Sequence, residues 1–324
     1  MAESKKIYTL IILTIVFLIA LYLALFAGYK DSGIHLLFKS FDVSNDADSI
    51  ILTVLRYPRV LKGFIAGSCL ALAGLFMQAV SKNPLAEPYL TGVSSGAGLG
   101  IVISVIYFNS MNYSLFGFAG ALISSAAVIL FAGISRFSAA KMILTGLSVN
   151  LFASSLISLF ILMHADKSHL IMFILSGGFN SGGLVPDKTL FAVFSAALAA
   201  SCFVIPKLNF LRLDENMVPS FKKEVYLIII LSAFLTCLSV FAAGILGFIG
   251  IIAPQIAKKL VGNDYRYLFF ANILIGGSFI LFADYLSRTL VYPLQIPLGL
   301  VIAFIGAPVF VFFLTKKGDI FDRN

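Results

Sequence analysis

The residues best placed to do chemistry are a few charged side chains set in or beside long apolar runs. Asp284 and Arg288 stand one helical turn apart in ADYLSR, and Arg56 and Arg59 open another run as RYPR. An acid and a base four residues apart face each other on a helix, so Asp284 and Arg288 read as an intrahelical ion pair that lets both sit near a bilayer edge. Arg288 is expected at the same outer rim as Arg56 and Arg59, where only one of the three has an obvious local acid. Such a rim attracts anions, and a Glu or Asp on a partner protein could take an arginine fork in two hydrogen bonds. The competing reading is plain snorkelling of arginines to the membrane interface.

Little else in the chain is equipped for catalysis. An H-E-x-x-H pair, an Asp-rich metal-phosphate motif and a Walker A lysine loop are all missing, and the sequence holds only three histidines. His164 and His169 flank a weakly apolar piece; a metal pair is conceivable there, and two isolated histidines at a membrane edge are the ordinary alternative. Cys69, Cys202 and Cys237 all fall in apolar segments without paired spacing. They read as small packing residues, with neither a disulfide nor a metal site. No cofactor is expected, and any use of ATP must come from another chain.

The elements that hold these residues are apolar helices. The chain has 324 residues, 60% hydrophobic and 12% charged, with a mean hydropathy of +1.02. No soluble core could hide so many apolar runs of about 20 residues, the length that crosses a bilayer. The polar intervals are all short, so one membrane domain over 1–324 is expected. Periodicity and polar breaks give ten spans, near 7–28, 57–80, 90–108, 114–135, 139–164, 189–206, 225–246, 251–263, 266–290 and 297–315. The first follows Lys5 and Lys6; it is longer than a usual signal core and ends at a poor cleavage site, so it is expected to be retained, with its N-terminus in the cytoplasm. Ten crossings then return the C-terminus to the cytoplasm. On that threading about fifteen of the 23 Lys and Arg lie inside, the distribution that the positive-inside rule requires. The net charge of +8 is therefore topological and does not indicate nucleic acid.

The stretch Arg56 to Gly100 organises the rest. Two runs rich in Gly, Ala and Ser are joined by a polar elbow from Ser81 to Pro88, and such small residues let membrane helices approach closely. Outside, the interval 165–188 predicts a short surface helix over His169–Leu175 that is ended by glycine. Inside, PKLNFLRLDENMVPSFKKE predicts a short amphipathic helix that lies either in a neighbour's groove or along the lipid interface. Gly74, Pro84 and Gly92 repeat as Gly244, Pro254 and Gly262 at an offset of 170, which suggests two inverted halves, about 56–164 and 225–315.

Taken together, RYPR, MQAVSKNPLAEPYLTGVSSGAG, GILGFIGIIAP, GNDYR, ADYLSR and IPLGLVIAFIGAPVFVFFL resemble the FecCD, or cobalamin-permease-like, family. These are the membrane permease subunits of iron-siderophore, haem and cobalamin ABC importers, and the resemblance covers nearly the whole chain in order. It implies an all-α polytopic membrane protein of the type II importer class, with about ten transmembrane helices in two inverted-repeat halves. It also implies a permease dimer, homomeric or heteromeric, with its path at the dimer interface. Two ATP-binding cassette subunits bind inside, a substrate-binding protein docks outside, and the cargo is a metal chelate. By the same match Arg56, Arg59 and Arg288 meet acidic residues of the binding protein. Asn83 and Leu85, with Ser138, Ala139 and Ala140 up to Lys141, narrow the path at the cytoplasmic side; Leu208, Asn209, Leu211, Asp214 and Glu215 couple to the ATPase from a segment over 207–224. SGGF, Ser176 to Phe179, resembles the turn after the family's outer surface helix.

The chain departs from the family pattern at Gln255, Tyr265 and Gln295, where titratable residues are usual, and at Asp214, where glycine is usual in a longer segment. The first three swaps remove titratable groups, which argues against a pH-linked or metal-ligand role at Gln255, Tyr265 and Gln295. The function implied is ATP-driven import of an iron-siderophore complex across a bacterial cell membrane, by alternating access and without enzymatic activity of its own. Haem or cobalamin are alternative cargoes. An ion-coupled secondary transporter is a more distant alternative, since it needs a coupling carboxylate at mid-membrane and Asp284 is the only near candidate; a membrane enzyme or a scaffold is more distant still.

Overall fold

A computed structural model describes residues 3–27, 51–108, 112–132, 139–179, 186–213, 222–291 and 293–315. Eleven helices account for nearly all of them: α1 Glu3–Phe26, α2 Tyr57–Ser81, α3 Val93–Tyr107, α4 Tyr113–Ala132, α5 Ala139–Met163, α6 Ser168–Leu175, α7 Asp187–Leu213, α8 Lys222–Ala243, α9 Ile249–Val261, α10 Tyr265–Thr289 and α11 Leu298–Thr315. The short α6 is the expected surface helix, and the other ten follow the predicted spans. Among the described residues, seven helices are long and apolar enough to cross a bilayer on their own; α3 and α11 are shorter apolar ones, and α9 is shorter still.

The buried centre is α2. It packs against α8, α9 and α10, and its apolar stretch is the most buried of the long helices. Proline in its first turn gives up only an amide that has no helical partner anyway, which fixes its start. Its glycines explain the close packing: a Cβ on Gly67 would overlap the carbonyl of Gly276 in α10, and one on Gly74 would overlap the carbonyl of Gly250 in α9. The opposite extreme is α1, whose Ile7, Ile11, Ile15 and Leu18 are half or more exposed. On a membrane protein such a row meets hydrocarbon, so it needs no protein partner.

We call the end where α1 begins the near end and the other the far end. Helix α2 runs from far to near. Helix α8, packed beside it, runs from near to far, since its last carbonyl, Ala243, accepts a hydrogen bond from Gly178 N in the far-end turn after α6. Each of these helices is followed by a non-α segment that turns back into the bundle and then by a short helix: 82–92 leads into α3, and 244–248 leads into α9. Two antiparallel copies of one helix-turn-helix plan are the inverted halves expected from the sequence.

The register assumed for that repeat does not hold. Gly74 is inside α2, whereas Gly244 lies in the turn after α8 with φ +75°. Pro84 is in a turn and Pro254 is inside α9. Structurally matching points are the two helix ends, Ser81 and Ala243, not the offset of 170. A second correction concerns α7, expected to stop at Pro206. It continues through that proline to Leu213, so Leu208, Asn209 and Leu211 end a spanning helix and do not begin a separate amphipathic one. A proline removes one backbone bond, a loss that neighbouring helices make tolerable in a membrane. Asp214, Glu215 and the rest of the segment to 221 lie outside the described residues.

Candidate functional site

Three layers of polar groups run through the bundle. At the far end the charged residues meet around one acid. Asp284 Oδ1 accepts from Arg59 Nε at 2.6 Å and Oδ2 from Arg288 Nε at 3.1 Å, and the carboxylate is 1% exposed. Arg59 also reaches Gln295 Oε1 at 3.2 Å and lies 5.4 Å from the Phe179 ring centroid. Arg288 donates to Ala24 O at 2.9 Å and Arg56 to Leu25 O at 2.7 Å, both at the last turn of α1. The intrahelical pair is therefore present, but it is not a private one. Asp284 serves two arginines and is buried, so the expectation that only Arg288 has an acid is corrected. What the rim presents outward is the remaining surface of Arg59 and Arg288, whose side chains are 20% and 13% exposed.

The turn that follows α6 completes this layer. Gly177, at φ +75°, accepts from Leu298 N, and Ser176 O accepts from Gly299 N, tying α6 to the start of α11. Leu298 is thus at the far end. Gly306, eight residues further along α11 and so about 12 Å deeper, packs against the Phe248 side chain. From the other side, Gly250 touches α2 at Gly74, seven residues or about 10 Å short of its near end. The segment 244–250 therefore starts at the far end, where Gly244 packs on Gly177, and reaches the middle of the bundle at Phe248 and Gly250.

There it meets the elbow of the first half. Phe248 N donates to Glu87 Oε1 at 3.3 Å, and Leu246 N donates to the Tyr89 hydroxyl at 2.9 Å. Irregular backbone at this depth must find its hydrogen bonds within the protein. Phe248 itself has φ +65°, a conformation that costs a non-glycine residue about 1–3 kcal/mol and persists only where its surroundings enforce it. On the far side of this junction lies an open-sided cavity of about 490 Å³, lined by Glu87, Tyr89, Ser94 and Ser95, by Asn150 and Ser154 of α5, and by Leu175, Gly247 and Phe248 among others. Ser95 Oγ and Asn150 Oδ1 are 2.5 Å apart, and Asn150 Nδ2 donates to Tyr89 O at 3.4 Å.

Residues 92–96, GVSSG, have the G-x-S-x-G spacing of a hydrolase serine, but the context is wrong. A 3-10 turn over Pro88–Thr91, not a β-strand, leads through Gly92 into α3, so Ser94, the serine in the nucleophile position, lines the cavity without a strand-to-helix elbow.

At the near end, Asn83 Oδ1 accepts from Leu85 N at 2.9 Å and its carbonyl from Ala86 N at 3.0 Å, so this residue builds the turn after α2. Gln255 of α9 donates to Pro84 O and to Gln78 Oε1, each at 2.9 Å, and Lys258 donates to the same Gln78 oxygen at 2.9 Å. Gln78 in turn donates to the Gly250 and Ile251 carbonyls at 3.4 and 3.3 Å. Beside this network, Asn209 at the end of α7 donates to Asp264 Oδ1 at 3.3 Å and accepts from Tyr265 N at 3.1 Å. Asp264 caps α10 by accepting from Arg266 N. Partial desolvation pushes the Asp264 carboxyl up, but the hydrogen bonds and charge of Arg266, with Asn209, outweigh that and hold it below the usual carboxylate range.

Of the residues singled out from sequence, Arg56, Arg59 and Arg288 come together. Asn83 and Leu85 occupy one near-end turn; Asn209 bonds Asp264 and Tyr265 at the start of α10, and Leu208 and Leu211 beside it are buried. Ser138 lies outside the described residues, and only the helical backbone of Ala139 and Ala140 is described. His164 Nδ1 sits 3.1 Å from Phe160 O, a local contact within α5. Cys69 and Cys237 are buried as expected, whereas Cys202 is exposed. Sequence reasoning missed Glu87, Tyr89, Gln78 and Phe248; Asp284, its nearest candidate for a mid-membrane acid, lies in the far-end layer. The available signal was weak: Glu87 is the one acid in the polar elbow from Ser81 to Pro88.

Comparison with known proteins places this architecture. The sequence pattern of the FecCD transport family matches residues 14–316. The Fe(3+)-citrate import system permease protein YfmD of Bacillus subtilis is 32% identical over 324 residues, covering 98% of this chain and 96% of the relative. The vitamin B12 import system permease protein BtuC of Serratia proteamaculans is 30% identical over 283 residues, with 84% of each chain covered. Among solved structures, a metal-chelate type ABC transporter in an inward-facing conformation superposes with a TM-score of 0.80 at 27% identity, covering 95% of this chain and 98% of that one.

Proposed function

The chain belongs to the FecCD transport family, and on that premise we propose that it is the permease subunit of an ATP-driven importer for an iron-siderophore complex. The observation that carries this reading is the junction of two inverted segments in mid-membrane, with a cavity on one side of it and a hydrogen-bonded near end on the other. A pathway that opens alternately to the two faces needs a site at the midplane and a barrier that can move. The relatives named for ferric citrate and vitamin B12 support a metal-chelate cargo; haem or cobalamin is the second choice.

In this reading the near end faces the cytoplasm of a bacterial cell, and both termini lie there. One permease pairs with a second, identical or homologous, and each meets an ATP-binding cassette subunit through Leu208, Asn209 and Leu211 with Asp214 and Glu215. Hydrolysis resides on that subunit, and this chain is not an enzyme. An extracytoplasmic binding protein delivers cargo by setting acidic residues on Arg59 and Arg288, with Arg56, assigned the same role from the sequence, buried behind them against Leu25 O. The constriction on the cytoplasmic side combines Asn83 and Leu85 with Ser138, Ala139 and Ala140. The arginine rim keeps its shape before docking because Asp284 neutralises part of its charge, so an incoming carboxylate meets preoriented forks.

Large chelates are carried by shape and released easily, consistent with a cavity lined by serine, asparagine and apolar groups. The test is uptake of radioactive ferric siderophore into vesicles holding this chain, its ATPase and its binding protein. Uptake that requires all three supports the reading; uptake that persists without the ATPase under a proton gradient overturns it in favour of a secondary transporter.

A further inference from the structure

The cavity has a floor, and its construction is specific. Two hydrogen bonds join the elbow of the first half to the re-entrant segment of the second: Glu87 Oε1 takes Phe248 N–H, and the Tyr89 hydroxyl takes Leu246 N–H. Both bonds link segments more than 150 residues apart in sequence, and both acceptors line the cavity. Neither amide has a helical partner to fall back on, because 244–248 is not helical and Phe248 is the residue before α9. Glu87 also sits at the start of α9, where the helix dipole favours a carboxylate. The strained φ of Phe248 falls at this contact.

Helix α9 connects this floor to the near end. Its 13 residues span about 20 Å. Its first turn is held by Glu87, its middle by the Gln78 and Gln255 network that also holds Pro84, and its end leads through Gly262 to Asp264, which binds Asn209 of α7. A displacement at the near end can therefore reach Phe248 along α9, whose one missing backbone bond, at Pro254, is covered by Gln78 on Gly250 O.

We propose that Glu87 and Tyr89 are positioning residues that latch the two inverted halves at the cavity floor, and that α9 draws this latch apart to let cargo pass to the near side. The proposal rests on the transport reading above. Its mechanism is release of two backbone amides from side-chain acceptors, with relief of strain at Phe248 offsetting part of the cost. The latch also accounts for an acid at a depth where a carboxylate otherwise has no use.

Three variants test it in the assembled transporter in proteoliposomes, with cargo moved per ATP hydrolysed as the readout. Glu87→Ala and Tyr89→Phe each remove one acceptor and should lower that ratio about tenfold, since a hydrogen bond from a buried backbone amide is worth about a tenfold shift in the latched population. Glu87→Gln keeps a carbonyl oxygen for Phe248 N–H and should stay within about twofold of wild type. A merely structural role would lower thermal stability and leave the ratio unchanged.

A second readout needs no partner. In this chain with its three cysteines replaced, Ser94→Cys in the cavity should react with an impermeant maleimide from the near side about tenfold faster when Tyr89→Phe is added. Unchanged ratios in Glu87→Ala and Tyr89→Phe, or a loss in Glu87→Gln equal to that in Glu87→Ala, would overturn the latch. If the wild-type complex moved no cargo, the transport reading would fail instead, and the maleimide rates would still decide the latch: equal rates sink it.

Discussion

Replacing Asp284 by Asn tests the charged layer most severely. The carboxylate is 1% exposed and accepts from Arg59 at 2.6 Å and Arg288 at 3.1 Å. At an effective dielectric of 20 each contact is worth about 5–6 kcal/mol of gross Coulomb attraction, and desolvation of the buried acid cancels several kcal/mol of the sum. Removing the acid leaves two arginines facing each other. Experience with broken buried pairs puts the loss at about 3–5 kcal/mol. Both side chains retain some water contact, so the lower end, about 3 kcal/mol, is expected. Thermal unfolding in lipid nanodiscs, followed with a thiol-reactive dye that reports exposure of Cys69 and Cys237, gives the shift. Arg288→Leu in the Asp284→Asn background should recover part of the loss, because it removes an orphaned charge. A loss under 1 kcal/mol, or no recovery in the double variant, would refute the view that Asp284 organises this rim.

Three further outcomes follow from the same geometry. Gly67→Ala should cost about 3 kcal/mol or more, since the new methyl meets the Gly276 backbone and no rotamer change can relieve it; the same unfolding assay reads the loss. Arg59→Glu should weaken binding-protein docking at least tenfold at low ionic strength, with the difference shrinking as salt screens the rim; surface plasmon resonance across a salt series measures both. Asp264 is held below its ordinary pKa, so its stabilising contribution is complete above about pH 4, the unfolded carboxylate value, and disappears as pH falls through the lower folded value. The stability difference between wild type and Asp264→Asn should be constant from pH 7 to pH 5 and should shrink below pH 4. Its size should stay within about 1 kcal/mol, because the partner Arg266 is 72% exposed.

The spans were legible because a bilayer demands apolar length, and a run of about 20 residues has few other uses. The elbow after α2 was legible for a similar local reason: Asn83, Pro84 and Pro88 cannot continue a helix. Contacts between distant parts of the chain were not legible. Arg59 and Asp284 lie 225 positions apart, and no periodicity links them. The depth of Glu87 was hidden because a polar stretch after a membrane helix ordinarily marks the surface, whereas this one turns inward to meet 244–248. That second segment, GILGF, looks helical by composition, yet Gly244 at φ +75° and Phe248 at φ +65° keep it extended. Pro206 misled in the opposite sense, since packing lets α7 run past it. The false register of the repeat arose from matching glycines, whose spacing in such a sequence reflects helix packing more than ancestry. Family resemblance supplied the proposed roles of the arginines and of the near-end turn; the structure adds what Arg56, Arg59, Arg288 and Asn83 bond to.

The central claim is that this chain is a conduit driven by other subunits. Its most direct test is ATP-dependent uptake of a labelled ferric siderophore into proteoliposomes assembled from purified components, with each one left out in turn. The account predicts uptake only when permease, ATPase, binding protein and ATP are all present. Solute movement or nucleotide hydrolysis by the purified chain alone would contradict it.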